Sequence, residues 1–417
     1  MTKGILATAA GVAALAAAAA INPAGVTVVE GAAGATDITY TLSGTEPEVV
    51  TMEVFTNGVS AGGAGVRHAY GDVWRLVQPG AATRTIRWRA DRDLEPSVYE
   101  AGDFRVVLTA WATNAPPDYM VVDLVTTNFT YYPAADYLPA GGPEGDRAFA
   151  TSLWVFRKIP AAMKWFTLGD PLSVNQRSVM LTEDFYISIY ELTDGQNNRM
   201  SSRSAGHDSP VSSSYSGWRG TTYFWPKDGS QVAGKLAVYR AATGGLMLDL
   251  PTEAQWEIAA RAGEENHNLY NGQDPVEVTD ATGRRVVPAL DDIAWAGWNS
   301  TNANGNVTAH PVGLKKPNAW GLYDMLGNMW EMCREYSWTY PTAPSIDPTC
   351  ASMTVNTSSN YFRRRGGGYS TAAANTTLTS ITLVLASWSN EGEGSLDGTG
   401  NKSTHGCRAV CPAVAIR

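Results

Sequence analysis

The chain has 417 residues, of which 44% are hydrophobic and 17% charged, and its formal net charge is −9. This length suits two or three domains, and the apolar content excludes a disordered chain. A mildly acidic balance with no long basic run excludes nucleic acid as the expected partner.

The N-terminus reads as an export signal over 1–22: Lys3 gives a short positive region, and Ile5 to Ala20 is apolar with a small-residue end suited to cleavage. That stretch falls short of the ~20 residues a membrane span needs, so an uncleaved anchor helix is the secondary reading. No later segment is long and apolar enough to span a bilayer. The mature chain is therefore expected outside the cytoplasm: secreted, periplasmic or at the cell surface.

Residues 23–132 carry short period-two runs at Asp37 to Leu42, Val50 to Phe55, Arg84 to Arg89 and Phe104 to Trp111, with Gly and Pro between them. Such a pattern predicts an immunoglobulin-like β-sandwich. It holds no cluster of His, Asp or Glu that suggests chemistry, so it is read as a spacer or adhesion module. Residues 133–153, rich in Pro, Gly and Ala at their start, are read as a linker. A second domain occupies 154–417. Its one clear helix runs from Pro251 to Gly263, with Pro where no backbone N–H is needed, Gly at the left-handed exit, and Glu253 and Glu257 toward the positive end of the dipole. With 41 Gly and 14 Trp, the rest is expected to be short strands and loops, giving an α+β class overall.

Four cysteines, Cys333, Cys350, Cys407 and Cys411, suit two disulfides in an exported chain. Three pairings are open. The local ones, Cys333–Cys350 and Cys407–Cys411, are favoured, the second only if the chain turns, because four extended residues span about 13 Å against the ~7 Å a disulfide tolerates.

Several landmarks occur together and in order: Arg157 to Gly169, Phe185 to Thr193, Leu250 to Glu257, Pro317 to Glu331, Arg365-Gly366-Gly367-Gly368-Tyr369 and Gly406-Cys407-Arg408. Together they make the second domain resemble the formylglycine-generating enzyme, or sulfatase-modifying factor, family over roughly 154–417. The resemblance implies a compact fold related to C-type lectins, with little regular secondary structure. It also implies copper held by two cysteines just after the Gly-rich segment, which oxidise a sulfatase cysteine to formylglycine. Here those positions fall on Thr371 and Thr376. A threonine hydroxyl is neutral and hard, unlike the thiolates that suit monovalent copper, so copper is not expected and no catalytic residue is assigned. A related branch with an iron-binding helical module needs clustered histidines. His68, His207, His267, His310 and His405 are isolated.

The resemblance implies two structural calcium sites as well. Asn328 and Glu331 match one; Asn299 and Asn304 fall near the other, with Asn304 where an aspartate is usual. The alternative is that Asn328 is a turn residue and Glu331 a solvated or backbone-bonded acid. Trp295, Trp298, Trp320 and Trp330 are read either as a ligand platform or as core. Two functions follow. The first is a secreted, non-catalytic module that binds a protein, peptide or glycan. The alternative is a formylglycine-generating oxidase acting through a non-standard site.

Overall fold

The computed structural model describes residues 6–11, 20–21, 25–30, 34–139, 142–143, 146–171, 176–200, 235–336, 340–341, 343–349, 361–372, 375–385 and 405–416. The chain is mixed α/β with mostly strands and few helices. It divides into two compact units: residues 1–122, 128–147 and 413–417 form one, and 123–127 with 148–412 the other.

In the first unit, alternation decides which faces are buried. The strand Thr36–Ser43 buries Ile38, Tyr40 and Leu42 and turns Asp37, Thr39 and Thr41 outward. It pairs with Thr27–Glu30, Ala20–Ile21 and Gly80–Trp88, and the last of these also pairs with Ala69–Gly71. A second sheet places Phe104–Ala112 between Leu6–Gly11 and Glu48–Thr56; Val59–Ser60 and Arg75–Val77 add to the latter strand. The four expected runs thus fall on four strands. Leu6–Gly11, from the expected export segment, pairs in parallel with Phe104–Ala112.

The second unit is built from short sheets joined by long irregular segments. Trp330–Tyr336 lies between His405–Gly406 and Tyr361–Arg365, and the latter pairs with Ile381–Leu385. Phe185–Ser188 pairs with Leu153–Ile159 on one side and Val410–Pro412 on the other. The helix Glu253–Arg261 forms where expected. Its start is a capping box: Thr252 Oγ1 accepts from the Gln255 amide at 3.1 Å and Gln255 Oε1 accepts from the Thr252 amide at 2.9 Å. Ala262 (φ 48°) and Gly263 (φ 95°) end it in the left-handed region. Asn318 then donates to the Ala259 and Ala260 carbonyls, which a helix end leaves unpaired.

The segment 317–329 is irregular because its backbone turns left-handed at Gly321, Asp324, Gly327 and Asn328. Gly327 is the most constrained. A Cβ there would lie 2.2 Å from the Trp295 carbonyl oxygen.

Candidate functional site

Two buried charge networks hold the second unit's centre. In the first, the helix Glu253–Arg261 faces the strand Tyr361–Arg365. Arg365, fully buried, contacts Glu253 at 3.0 Å and Glu257 at 3.1 Å. Arg177 and Arg261 also reach Glu257, at 3.0 and 2.9 Å. Burial alone would raise the Glu257 carboxyl, but Arg365, Arg177 and Arg261 outweigh it and hold the group at about 2. Glu335, on the strand Trp330–Tyr336, accepts from the Glu253 amide at the start of the same helix at 2.8 Å. Burial and the neighbouring Glu253 push Glu335 up to about 8.

The second network centres on Glu331. Arg408 Nε lies 2.9 and 2.7 Å from its two oxygens, Arg408 Nη2 is 2.6 Å from one, and Trp256 Nε1 donates to the other at 2.6 Å. The same guanidinium donates to the carbonyls of Ser188, Ile189 and Tyr323. Two more carboxyls crowd this site. Glu191 accepts from Asn328 Nδ2 and the Met329 amide, and burial followed by repulsion from Asp324 and Glu331 pushes it well above the usual range. Asp324 accepts from the Gly313 amide at 2.7 Å, and burial raises it to about 6. Glu191, Asp324 and Glu331 thus share the field of one guanidinium, and of the three only Glu331 is in direct contact with it.

These networks position a surface loop pair. Asn328 is the hinge between core and surface. Its Oδ1 accepts from the His310 amide at 2.9 Å, its Nδ2 donates to the His310 carbonyl at 3.2 Å, its amide donates to Trp295, and its carbonyl accepts from Tyr369. The His310 ring stacks on Trp295 at 3.8 Å, and Lys315 Nζ sits 3.9 Å above the Trp295 ring. Burial lowers both His310 and Lys315. Trp295 Nε1 and His310 Nε2 have no hydrogen-bond partner among the described residues.

Beside this stack runs the segment after the Gly-rich strand. Thr371 accepts from the Gly368 amide through Oγ1 at 2.8 Å, and its carbonyl accepts from Gly297 at 3.0 Å. Thr376 is fully buried, with Oγ1 donating to the Ala372 carbonyl at 3.3 Å. Two hydroxyls, both engaged locally, therefore stand where the resemblance places copper thiolates. They do not fit that ion.

Asn328 and Glu331 do lie together in the core, but their donor atoms are spent. A cation at Glu331 would have to displace the Arg408 guanidinium, so the pair does not fit calcium either. Asn299 Oδ1 accepts from the Ala296 amide at 2.8 Å, and Asn304 is an exposed turn residue whose amide donates to Asn302. Among the described residues no three His, Cys, Asp or Glu side chains are grouped to hold a metal. His68 pairs with Asp93 and His267 with Glu264, in separate places; His207 lies outside the described residues. Trp298 donates to Asp291 beside the stack, while Trp330 is buried under Arg364 and Trp320 is half-buried.

The expected Cys407–Cys411 disulfide is not formed: both are free, buried thiols. The chain between them stays extended. The Cys407 carbonyl pairs with Leu192 and the Ala409 carbonyl with Ser188, and Cys411 lies opposite Tyr186. The turn that bridging requires is absent. Cys333 is likewise free and buried, and its expected partner Cys350 lies outside the described residues. Burial pushes all three described thiols up.

Sequence expectation missed the two arginines that organise the core. Arg408 sits in the apolar run Gly406 to Val410. A lone cation in a strand otherwise fit for burial is the signal of a buried acid partner.

A model of the family described as "Sulfatase-modifying factor enzyme 1-like domain" matches residues 166–381. Curated proteins named formylglycine-generating enzyme are similar. The one from Thermomonospora curvata is 34% identical over 107 residues, 24% of this chain and 32% of that protein; the one from Mycobacterium tuberculosis is 38% identical over 106 residues, 24% and 31% respectively. The chain thus spans about a third of the length of these relatives. Among solved structures, Treponema denticola variable protein 1 is 18% identical with a TM-score of 0.43, covering 62% of this chain and 95% of that one. By the family match over more than half of its length, the chain belongs to the sulfatase-modifying factor enzyme 1-like family.

Proposed function

We propose that this chain uses the family's scaffold as a binding module and does not generate formylglycine. The observation that carries the reading is the pair Thr371 and Thr376, whose hydroxyls are engaged with Gly368 and Ala372. Copper oxidation needs two thiolates there, and the three described thiols are buried in other places and pushed toward the neutral form. The ligand surface is the loop pair around Trp295, Trp298, His310 and Lys315. Aromatic faces beside a cation suit an acceptor-rich peptide or glycan. Export and an immunoglobulin-like N-terminal sandwich belong to the same proposal, which makes the protein a secreted or surface binder.

The test incubates the purified chain with copper, oxygen and a sulfatase-type cysteine peptide. The peptide mass is expected to stay unchanged. In parallel, peptide and glycan arrays are expected to give binding that Trp298→Ala abolishes. Copper-dependent formation of formylglycine overturns the reading and restores the oxidase alternative.

A further inference from the structure

A three-stranded sheet of the second unit places Arg177–Leu181 between Lys164–Leu168 and Ser345–Ile346. The strand Lys164–Leu168 is therefore an edge, and the hydrogen-bond phase of the sheet fixes which main-chain groups it exposes. Met180 accepts from the Asp347 amide at 2.9 Å, so its N–H and C=O point to Ser345–Ile346. Val179 and Leu181 then point the opposite way, toward Phe166 and Lys164, their partners in the ladder. The alternate residues, Trp165 and Thr167, turn their N–H and C=O to the open side, where no described atom meets them.

Both ends of this open stretch are closed. At one end Met163 is left-handed (φ 58°) and also gives its amide to the Leu181 carbonyl at 2.7 Å, so the edge bulges before Lys164. At the other, the Gly169 amide donates to Glu257 at 2.7 Å and the Gly169 carbonyl accepts from Arg261 at 2.6 Å. What remains fits a short segment that pairs with two residues, and not the edge of another sheet.

The side chains define what that segment carries. Trp165, Met180 and Ile346 lie directly opposite one another across the three strands and so share one face. Trp165 is 52% and Ile346 55% exposed, with Met180 covered between them, while Leu168 and Val179 on the other face are buried. Lys164 is exposed, gives Nζ to the Pro160 carbonyl at 2.8 Å and meets no carboxylate among the described residues.

We infer that this edge binds a short extended peptide as an added antiparallel strand, with an aromatic or β-branched residue opposite Trp165 and an acidic residue on its C-terminal side, opposite Lys164. Main-chain bonds to Trp165 and Thr167 supply the attachment; the apolar row and the Lys164 charge supply the choice of sequence. The inference is independent of the binding surface proposed above, since the loop pair around Trp295 shares no residue with this edge.

The test is fluorescence anisotropy of a labelled, end-capped peptide with the core Thr-Val-Tyr-Glu, titrated with the full chain. Saturable binding is expected below about 1 mM. In the antiparallel register the tyrosine N–H meets the Trp165 carbonyl and the valine N–H points away. Methylating the tyrosine nitrogen is expected to weaken binding about tenfold, and methylating the valine nitrogen to leave it unchanged. Trp165→Ala and Thr167→Pro are each expected to weaken binding about tenfold; the second removes only an N–H on the open side, which an edge strand tolerates. Should Thr167→Pro fail to fold, the two methylated peptides read the same main-chain bonds from the other partner. Lys164→Glu is expected to reverse the preference for glutamate over lysine at the last core position. Trp298→Ala is expected to change nothing, which separates this edge from the loop pair. The inference is overturned by no saturable binding, by equal effects of the two methylations, by full affinity in Trp165→Ala, by a glutamate preference that survives Lys164→Glu, or by binding lost in Trp298→Ala.

Discussion

Replacing Glu331 by Ala separates its two readings, ion-pair partner of Arg408 or calcium ligand. The side chain is 1% exposed and receives bonds from Arg408 and Trp256. Its removal strands the Arg408 guanidinium among backbone carbonyls and leaves the Trp256 indole N–H without an acceptor. Breaking a buried pair costs about 3–5 kcal/mol, and an orphaned buried donor about 1–3 more. The neighbouring Glu191 carboxyl, no longer repelled by Glu331, can return part of that cost. A net loss of about 4 kcal/mol, at roughly 2–4 °C per kcal/mol for a unit of this size, lowers the melting temperature by about 10 °C. Scanning calorimetry of Glu331→Ala and the milder Glu331→Gln, each with and without calcium, reads this directly. The wild-type transition is expected not to move when calcium is added, since Arg408 occupies the carboxylate. A variant melting within about 2 °C of wild type, or a calcium stabilisation present only in the wild type, would refute the reasoning.

Other perturbations probe other parts of the frame. Glu335 is raised from an ordinary 4.5 to about 8, so the folded state holds a proton that the unfolded chain releases. Its stability contribution is full below about pH 4.5 and is lost as pH rises through about 8. Glu335→Gln should flatten this fall in urea midpoints taken across that window, and a slope equal to wild type would count against the burial argument. Glu257, held at about 2, works in the opposite sense: its contribution is present above about 4.5 and is lost as pH falls toward 2, so Glu257→Gln should lose stability most at neutral pH and least in acid. Gly327→Ala forces a Cβ to 2.2 Å from the Trp295 carbonyl at φ 76°, and should cost more than ~3 kcal/mol by fluorescence-monitored unfolding; a normal midpoint would contradict the close approach. Thr371→Cys with Thr376→Cys should fold with a loss under ~1.5 kcal/mol and gain affinity for monovalent copper over wild type in chelator competition. No gain would show that these positions do not converge.

What the sequence made legible was whatever is written locally. Strands at 36–43 and 104–112 follow from alternation, and the helix from Pro251 and Gly263. The site's electrostatics were not local. Glu257 and Arg365 are 108 positions apart, Ser188 and Arg408 220, and no periodicity links such partners. The cysteines failed for a related reason. A four-residue spacing looked bridgeable, but Leu192, Ser188 and Tyr186 draw that segment out as an extended edge. Glu331 read as a calcium ligand or a solvated or backbone-bonded acid because a sequence does not show what will cover it.

Arg408 also orders events during synthesis. Glu191, Asp324 and Glu331 leave the ribosome before it, and until it arrives Glu331 lacks the guanidinium that pairs with it in the folded unit. The nascent unit therefore cannot close its centre by instalments; the carboxylate stays hydrated and the apolar strands around it stay apart. Closure is reserved for the moment when the segment around residue 408 is free to dock, which makes acquisition of the native state a late, nearly single event that a nascent chain stalled before that point cannot complete.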